Sequence, residues 1–370
     1  MTVVAIASPD RQVYSQTFIH QQIANLPYTI RLLYGGNLPT HRAASPDCPG
    51  YAFPGENEDP WVRVQAIADY LVEQKVGAVL AQFGPCAVEM MAACESAALP
   101  LLVHFHGYDA SRLEILSSYG KRYRALFAQA HSVIAVSREM HARLAAMGAP
   151  PARLHYVPYG VDTDVFARAN PAANGPDFLM VGRQVEKKGH LLALLAFAGL
   201  VRSHPECTLR IIGTGPLRES GEMLARALGI AGQVRWLGVL SPNDVAAELR
   251  SSRALIQFSH TTPSGDSEGT PLAVLEAMSS GIPVIGSRHA GIPDVIEHEV
   301  HGLLVDPFDV AGLTDALRRL AVAPALAAGL GRAAAGAVRN FYTRQRYLDQ
   351  LASLIDAAMA TSSVHRPSKP

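Results

Sequence analysis

The sequence predicts an α/β protein of two domains, each with a doubly wound parallel sheet. Three observations carry this prediction: a length of 370 residues, 49% hydrophobic against 17% charged residues, and short apolar runs that alternate with longer helical patterns. A chain of this length exceeds one ordinary core, and such alternation is typical of parallel sheets. Because 32 basic residues balance 32 acidic ones, no overall field favours nucleic acid as a partner.

Strands are predicted wherever apolar or β-branched residues form a short run between turn signals. In the first half these runs are 3–7, 29–34, 78–81, 101–105, 132–136 and 154–157; in the second they are 178–181, 208–212, 234–237, 254–258, 283–286 and 302–305. The second half repeats the scheme of the first.

The domain limits follow from this repetition. We expect an N-terminal domain over 1–165 and a C-terminal domain over 176–335, joined by a linker near 162–176 that is rich in Pro, Asn, Ala and Gly. A helical pattern over 341–360 is expected to pack on the first domain. The polar stretch 35–60 is either a functional loop or locally disordered.

The termini and cysteines bear on location. The N-terminus lacks the basic start of a signal peptide, and the longest apolar run, 191–201, is far shorter than a bilayer span. The four cysteines show neither CxxC nor zinc spacing. We expect a cytoplasmic protein, either in solution or at the inner face of the cytoplasmic membrane.

A short helix near residue 271 predicts an anion site. Thr270 suits an N-cap, Pro271 the first helical position, and Gly281 a stop, so the helix should run over about 271–280. It follows a strand ending at 258, so its N-terminus should open at the carboxyl edge of the sheet, where α/β folds bind ligands. The amides of Leu272 and Ala273 are ready to bind a phosphate there.

Two acids flank this anion site. Glu268 precedes the helix and Glu276 lies about two turns inside it. A carboxylate is repelled by phosphate, so both are useful only if they accept hydrogen bonds from hydroxyls. A ligand with phosphates between two polyols is a nucleotide sugar. The alternative is that both are solvated surface glutamates.

A basic pair forms the second half of the predicted site. In FLMVGRQVEKKGH, a strand leads into a turn that holds Arg183 and Lys188. A leaving diphosphate needs cations where no metal is present, and Arg can bind it bidentately while Lys adds a point charge. The alternative is an exposed basic loop.

These segments resemble one enzyme family. Glu268 and Glu276 match the E-x7-E signature of retaining glycosyltransferase family 4, and Arg183 and Lys188 match its GR-x4-K pattern. The resemblance implies the GT-B fold, with two Rossmann-like domains facing across a cleft. It implies that Glu268 contacts the donor sugar, Glu276 the ribose, and the basic pair the diphosphate. Further donor-binding residues that it implies are Gly269, Thr270, Leu272, Ala273, Gly215, Gly238 and Val239.

The first domain resembles the family less closely. HFHGYD is similar to the family's HG-x-D segment, which implies a catalytic role for His106 and donor binding for Asp109; a structural histidine is the alternative. The segment after the first strand resembles that of exopolysaccharide and colanic-acid-type enzymes. Its Ser15, Gln16 and Thr17 either contact donor phosphate or acceptor, or merely flank core residues.

Three other patterns in the sequence bear on its function. The GTGPLR turn places Arg218 at the third glycine position of a dinucleotide fingerprint, which argues against NAD. Asp162 and Asp164 look like a metal DxD but lie in the predicted linker, where turn chemistry explains them. The basic stretch 121–127 is either a solvated helix face or a docking patch for a membrane that carries a lipid-linked acceptor.

The sequence therefore predicts a retaining, metal-independent hexosyltransferase without a cofactor. Its partners would be a UDP-, GDP- or ADP-sugar and a glycan or lipid-linked acceptor, in cell-surface polysaccharide or glycoconjugate biosynthesis. A nucleotide-sugar epimerase and a non-catalytic nucleotide-sugar-binding protein are the alternatives on the same fold.

Overall fold

The computed structural model describes residues 2–11, 16–44, 48–54 and 59–364. The chain forms two compact units. The first contains the residues up to Pro158 and those from Tyr347 onward, and the second runs from Tyr159 to Arg346. Each unit is built on its own sheet.

An eight-stranded sheet forms the centre of the first unit, in the order β4-β3-β2-β1-β5-β6-β7-β8. Its pairs are parallel except β2 with β3 and β3 with β4. The strands are β1 Val3–Ala7, β2 Thr29–Tyr34, β3 His41–Ala43, β4 Tyr51–Ala52, β5 Val76–Gln82, β6 Leu101–Phe105, β7 Ser132–Ala135 and β8 Leu154–Tyr156. The helices are α1 Thr17–Asn25, α2 Pro60–Glu73, α3 Gly84–Ser96, α4 Leu113–Gln129 and α5 Arg138–Ala146.

A six-stranded parallel sheet forms the centre of the second unit, in the order β11-β10-β9-β12-β13-β14. The strands are β9 Asp177–Val181, β10 Thr208–Ile212, β11 Val234–Gly238, β12 Ala254–Gln257, β13 Val284–Ser287 and β14 Gly302–Val305. The helices are α6 His190–Val201, α7 Arg218–Ala227, α8 Pro242–Arg250, α9 Leu272–Ser279, α10 Ile292–Val295, α11 Val310–Val322 and α12 Pro324–Phe341. A last helix, α13 Arg344–Val364, begins at the end of the second unit and continues in the first.

Both sheets confirm the predicted α/β class, and every predicted strand is present. The prediction missed β3 and β4, because the stretch 35–60 that holds them was expected to be a loop or disordered. These strands are short and polar and pair antiparallel at the sheet edge, so they lack the buried apolar run that identifies a central strand.

The stretch 162–176, where a linker is predicted, belongs to the second unit and packs on it. The carbonyl of Phe166 accepts a hydrogen bond from the Ser279 hydroxyl at 2.8 Å, and the Ala169 amide donates to the carbonyl of Ser280 at 2.8 Å. Phe166 is buried. A segment without periodicity can still pack closely when its backbone groups find partners.

The apolar run 191–201 lies in α6, whose buried side chains join the core of the second unit. Within the described residues, no single helix is both long and apolar enough to cross a bilayer; only α11 and α12 together meet that criterion, and they are bent by 102°.

Candidate functional site

The predicted donor-site residues follow the two central strands of the second sheet. β9 and β12 lie side by side, and the chain leaves them in opposite directions, toward β11 and toward β14. Ligands bind at such a switch point, outside the carboxyl ends of the strands. Arg183 and Lys188 follow β9, and Glu268 follows β12, so the fold brings both predicted segments to one edge.

Lys188 and Glu268 form an ion pair at this edge. The Lys188 Nζ lies 3.0 Å from the Glu268 Oε1, and the two side chains are only 15% and 8% exposed. Burial alone would raise the pKa of Glu268, but Lys188 and then Lys187 outweigh it and hold that pKa at about 2. Glu268 is therefore an ionised acceptor at any physiological pH.

Glu276 lies in the same electrostatic environment but has the opposite shift. Burial raises its pKa to about 7, and the charge of Lys188 only partly counteracts this. Lys188 thus acts on both acids, and the structure brings the three residues together. A buried acid with a pKa raised this far, at the sheet edge where α/β folds bind ligands, is typical of a functional site.

The N-terminus of α9 opens beside Glu268. Pro271 occupies the cap position with extended backbone, so the prediction that Thr270 is the N-cap is wrong by one residue. The reason is that Pro271 keeps a ψ of 122° instead of entering the helix. The amides of Leu272 and Ala273 are among the first of the helix, which have no intrahelical partner, as the anion site requires.

Lys187 is a residue of this site that the prediction missed. Its Nζ lies 2.9 Å from the Asp266 Oδ1 and donates to the Ser267 carbonyl at 3.1 Å. Its own carbonyl accepts the His260 amide at 3.0 Å. These contacts hold the loop that carries Glu268 against the turn that carries Lys188. The only signal in the sequence is the Lys-Lys doublet, of which only the second lysine matches the GR-x4-K pattern.

The loops after β9 and β10 pack tightly together. The Gln184 side chain donates to the Gly213 carbonyl at 2.9 Å, and a Cβ on Gly215 would lie 2.5 Å from the Gln184 carbonyl oxygen. Only glycine fits this approach. On the same edge, Arg183 is exposed and, among the described residues, no carboxylate pairs with it. Its guanidinium can turn toward a ligand.

β11 contributes the last predicted donor contacts. Gly238, with a φ of 70°, accepts the Gly213 amide at 2.6 Å, and Val239 is 48% exposed. Gly269 lies on the other side of β9, where its carbonyl accepts the Gly291 amide at 3.0 Å. The predicted donor residues of the second unit therefore lie at or after the carboxyl ends of the strands of one sheet, and their contact with a donor stays a prediction.

In the first unit, Asp109 is fully buried. Its carboxylate accepts the amides of Gly84 at 3.0 Å, His106 at 3.0 Å and Gly107 at 2.9 Å. Burial raises its pKa, while these amides lower it in part. The geometry supports a role in shaping the loop after β6, and direct donor binding by Asp109 stays a prediction.

His106 lies in that loop and is 9% exposed. Its ring packs on Phe18 at 4.4 Å and on Phe83 at 4.7 Å between centroids. Burial, and then the neighbouring His104, lower the pKa of His106 well below its ordinary value. The ring is therefore neutral at physiological pH.

Gln16 precedes α1 and Thr17 begins it, both half-buried, whereas the following Phe18 and Ile19 are core. Ser15 lies outside the described residues. After β1, the carbonyl of Pro9 accepts hydrogen bonds from the Gly35 amide at 3.1 Å and the Gly36 amide at 2.8 Å.

Asp162 accepts the Asp164 amide at 3.1 Å and pairs with Arg344, which agrees with turn chemistry. Within the described residues, no group of three or more His, Cys, Asp or Glu side chains could hold a metal.

In the stretch 121–127, Tyr123 is buried while Arg122 pairs with Glu89 at 2.7 Å. This pattern favours the solvated-face interpretation of that stretch.

Solved structures define the class of fold. Sucrose-phosphate synthase from Thermosynechococcus elongatus superposes with a TM-score of 0.80 at 19% identity and covers 98% of this chain and 100% of its own. HepE from Anabaena, solved in complex with UDP, gives a TM-score of 0.76 at 17% identity, over 96% and 100% of the two chains. At these identities the likeness shows the fold, which is the GT-B fold of glycosyltransferases.

Two family models then identify the chain. "Glycosyltransferase Family 4" matches residues 22–165 and "Glycosyl transferases group 1" matches residues 162–336. The chain belongs to family 4 of the glycosyltransferases, as its E-x7-E segment indicated.

Curated relatives agree with this family. The amylovoran biosynthesis glycosyltransferase AmsK of Erwinia amylovora is 32% identical over 68% of this chain and 62% of its own length. The putative colanic acid biosynthesis glycosyltransferase WcaL of Salmonella typhimurium is 32% identical over 63% and 59%. The match therefore spans about three fifths of the length of these relatives.

Proposed function

We propose that this protein transfers a sugar from a nucleotide-diphosphate sugar to a hydroxyl of a glycan or lipid-linked acceptor, in cell-surface polysaccharide biosynthesis. We further propose that it retains the anomeric configuration and needs no metal ion. The observation that carries this is the buried Lys188–Glu268 pair, 3.0 Å apart, at the edge that Glu276 and the N-terminus of α9 share. The relatives above are named as transferases, which favours transfer over epimerisation.

Each group has a distinct task in binding the donor. Lys188, Arg183 and the amides at the start of α9 suit a diphosphate, because cations and helix N-termini bind phosphate oxygens. Glu268 and Glu276 suit the hydroxyls of the sugar and of the ribose, respectively. When a diphosphate enters, it competes with Glu268 for Lys188 and leaves the carboxylate to the sugar.

The reaction breaks the bond between the anomeric carbon and the β-phosphate oxygen. The electron pair leaves with the nucleoside diphosphate, whose charge Lys188 and Arg183 stabilise. The acceptor oxygen bonds to the same face of the anomeric carbon, and its proton passes to the departing phosphate oxygen. The two glutamates position the donor and are not an acid/base pair. His106 stays a proposed catalytic residue.

The test uses UDP-, GDP- and ADP-sugars, each with and without glycan or lipid-linked acceptors. We expect one nucleotide to support transfer, with retention seen by NMR of the product and with no loss in EDTA. Lys188→Ala and Glu276→Ala should each lower the rate by about a hundredfold or more, while Lys121→Ala, an exposed lysine of α4, should not. Near-normal rates in both site variants would refute the site. An isomerised donor made without acceptor would instead identify an epimerase.

A further inference from the structure

A row of hydrogen-bonded side chains in the second unit ends at Glu268. The Gln257 Nε2 donates to the Ser259 Oγ at 2.6 Å, and the Ser259 Oγ donates to the Glu268 Oε1 at 3.4 Å. Gln257 is the last residue of β12, and both Gln257 and Ser259 are buried. The Ser287 hydroxyl, at the end of β13, donates to the Ser259 carbonyl at 2.5 Å and so restrains the backbone there.

The chemistry of these side chains gives the row a direction. A glutamine nitrogen only donates, whereas a serine hydroxyl has one hydrogen and two lone pairs. Because Gln257 donates to Ser259, the Ser259 oxygen accepts that bond and keeps its single hydrogen for another partner. Glu268, whose pKa is about 2, is ionised and only accepts. The Ser259 hydrogen therefore belongs to Glu268.

The opposite direction would need a reversed Gln257 amide. Its Oε1 would accept the Ser259 hydrogen, and Ser259 would turn a lone pair toward the Glu268 carboxylate. In the structure the Gln257 Oε1 is buried and has no hydrogen-bond partner among the described residues. Reversal would pair this oxygen but take the Nε2 away from Ser259, and it would set a lone pair against a buried negative charge.

Glu268 shares one oxygen between a cation and this hydroxyl. The Lys188 Nζ also lies 3.0 Å from the Glu268 Oε1. When a diphosphate draws the ammonium away, the buried carboxylate loses its nearest positive charge, and burial then favours its neutral form. The Ser259 hydroxyl is uncharged, so a diphosphate attracts it far less than an ammonium. It can stay with Glu268 while Lys188 changes partner.

We propose that Ser259 is a positioning residue whose hydroxyl, directed by the Gln257 amide, holds the Glu268 carboxylate in place when Lys188 turns to the diphosphate of the donor. This role in donor binding rests on the proposed function. The bond from Ser259 to Glu268 is a property of the protein without ligand, so it can be tested separately.

The Lys188→Met variant imitates the state in which the ammonium has left. Besides burial, the charged and titratable groups that act on the pKa of Glu268 are Lys188, Lys187 and His289. Without Lys188 this pKa should rise into a range that NMR of carbon-13-labelled glutamate in the full-length protein can follow, with Glu268→Gln to assign the signal. In this background, Ser259→Ala should raise the pKa further, by about 1, because it removes a donor to the charged form.

The sign of this change separates the two directions. With the opposite direction, Ser259→Ala removes a lone pair that faces the carboxylate, so the pKa of Glu268 would fall; a fall or no change overturns the proposal. Ser287→Ala is the matched control, because its hydroxyl contacts only the backbone, and it should leave the pKa unchanged. If Ser259→Ala does not fold, Ser259→Ala with Gln257→Met takes its place, because it leaves no buried amide nitrogen without an acceptor.

A single variant tests the part of Gln257. Gln257→Met keeps the length of the side chain but gives no hydrogen to Ser259, whose hydroxyl is then free to turn away from Glu268. In the Lys188→Met background it should raise the pKa of Glu268 by less than Ser259→Ala does. An unchanged pKa in the folded variant would overturn the directing role of Gln257.

Calorimetry with UDP, GDP and ADP then tests the role in donor binding, with Lys188 in place. For the nucleotide that binds, Ser259→Ala should weaken the affinity about tenfold at pH 8, against less than about twofold for Ser287→Ala. The loss should shrink as the pH falls to 6, because a proton on Glu268 replaces the missing donor; Glu276 titrates in both variants and cancels. A loss that is absent, or equal at both pH values, overturns this role. If no nucleotide binds, the proposed function fails, while the pKa of Glu268 still decides whether Ser259 holds it.

Discussion

The two units share a doubly wound architecture yet differ in the charge of their functional edges. The second unit places Lys188, Glu268 and Glu276 at its switch point, where the charge of Lys188 lowers the pKa of both acids against the effect of burial. The first unit places Gln82 and a neutral His106 near its own, joined by hydrogen bonds between uncharged groups. The fold gives each unit a sheet with a carboxyl edge where a ligand can bind. The charged or uncharged side chains at that edge determine whether it suits a phosphate or a hydroxyl.

The buried acids show the same contrast. The Asp109 carboxylate of the first unit accepts hydrogen bonds from the amides of His106 and Gly107 in its own loop and of Gly84 at the start of α3. Glu268 of the second unit pairs with the Lys188 ammonium at 3.0 Å and accepts a longer hydrogen bond from the Ser259 hydroxyl at 3.4 Å, and a ligand can compete for the ammonium. An acid whose partners are backbone amides has a structural role. An acid that pairs with a lysine side chain can exchange that partner for the hydroxyls of a ligand.

The largest effect should come from removing the structural acid. Asp109→Ala leaves three buried amides without an acceptor, so we expect a loss of about 3–5 kcal/mol in the free energy of unfolding, read by urea titration. Asp69→Ala, an exposed acid of α2, should lose less than about 0.5 kcal/mol. If Asp109→Ala stays stable but binds nucleotide weakly, Asp109 faces a ligand and the contrast fails.

Next in size is the effect of Lys188 on nucleotide binding. Lys188→Ala removes a charge-assisted contact to the diphosphate, so calorimetry should show an affinity about a hundredfold weaker, about 2.7 kcal/mol. Gln82→Met should stay within twofold of the wild-type affinity. Equal losses in the two variants would mean that both units contribute to nucleotide binding.

Glu276 should show a conflict between stability and function. Its pKa is about 7 in the folded protein, against 4.5 ordinarily, so folding favours its protonated form between these values. Stability from this group is therefore greatest at low pH and falls as the pH rises toward 7. Glu276→Gln should be more stable than wild type by about 2 kcal/mol at pH 8 and by much less at pH 5, although it transfers poorly.

Thermal unfolding of both proteins across this pH range checks the sign. A difference that does not grow with pH would show that folding does not raise the pKa of Glu276.

The smallest expected effect belongs to Arg183, because its side chain is exposed. Arg183→Gln should weaken nucleotide binding about tenfold at low salt and less at 0.5 M salt, since salt screens exposed charges. Arg235→Gln, an exposed arginine of β11, is the control. A loss that does not respond to salt would indicate a desolvated contact.

The parts of this molecule that could be predicted are those encoded locally. Strand runs, the stop signal after α9, and the spacing of Glu268 and Glu276 all lie within short windows. Gln22 and Tyr347 are 325 positions apart, and no periodicity reveals that their side chains meet. Lys187 was missed for a related reason, since its partner Asp266 follows a different strand. Patterns disclose elements and motifs, whereas pairings between distant segments need the fold.

The discontinuity of the first unit has a consequence for biogenesis. Its sheet uses residues up to Pro158, but Tyr347 and the rest of α13 emerge from the ribosome only after the whole second unit has been synthesised. The nascent first unit must therefore wait, with Gln22 lacking its Tyr347 partner, while the second unit, which is continuous in sequence, can fold without delay. The order of synthesis thus makes the second unit the first that can be completed.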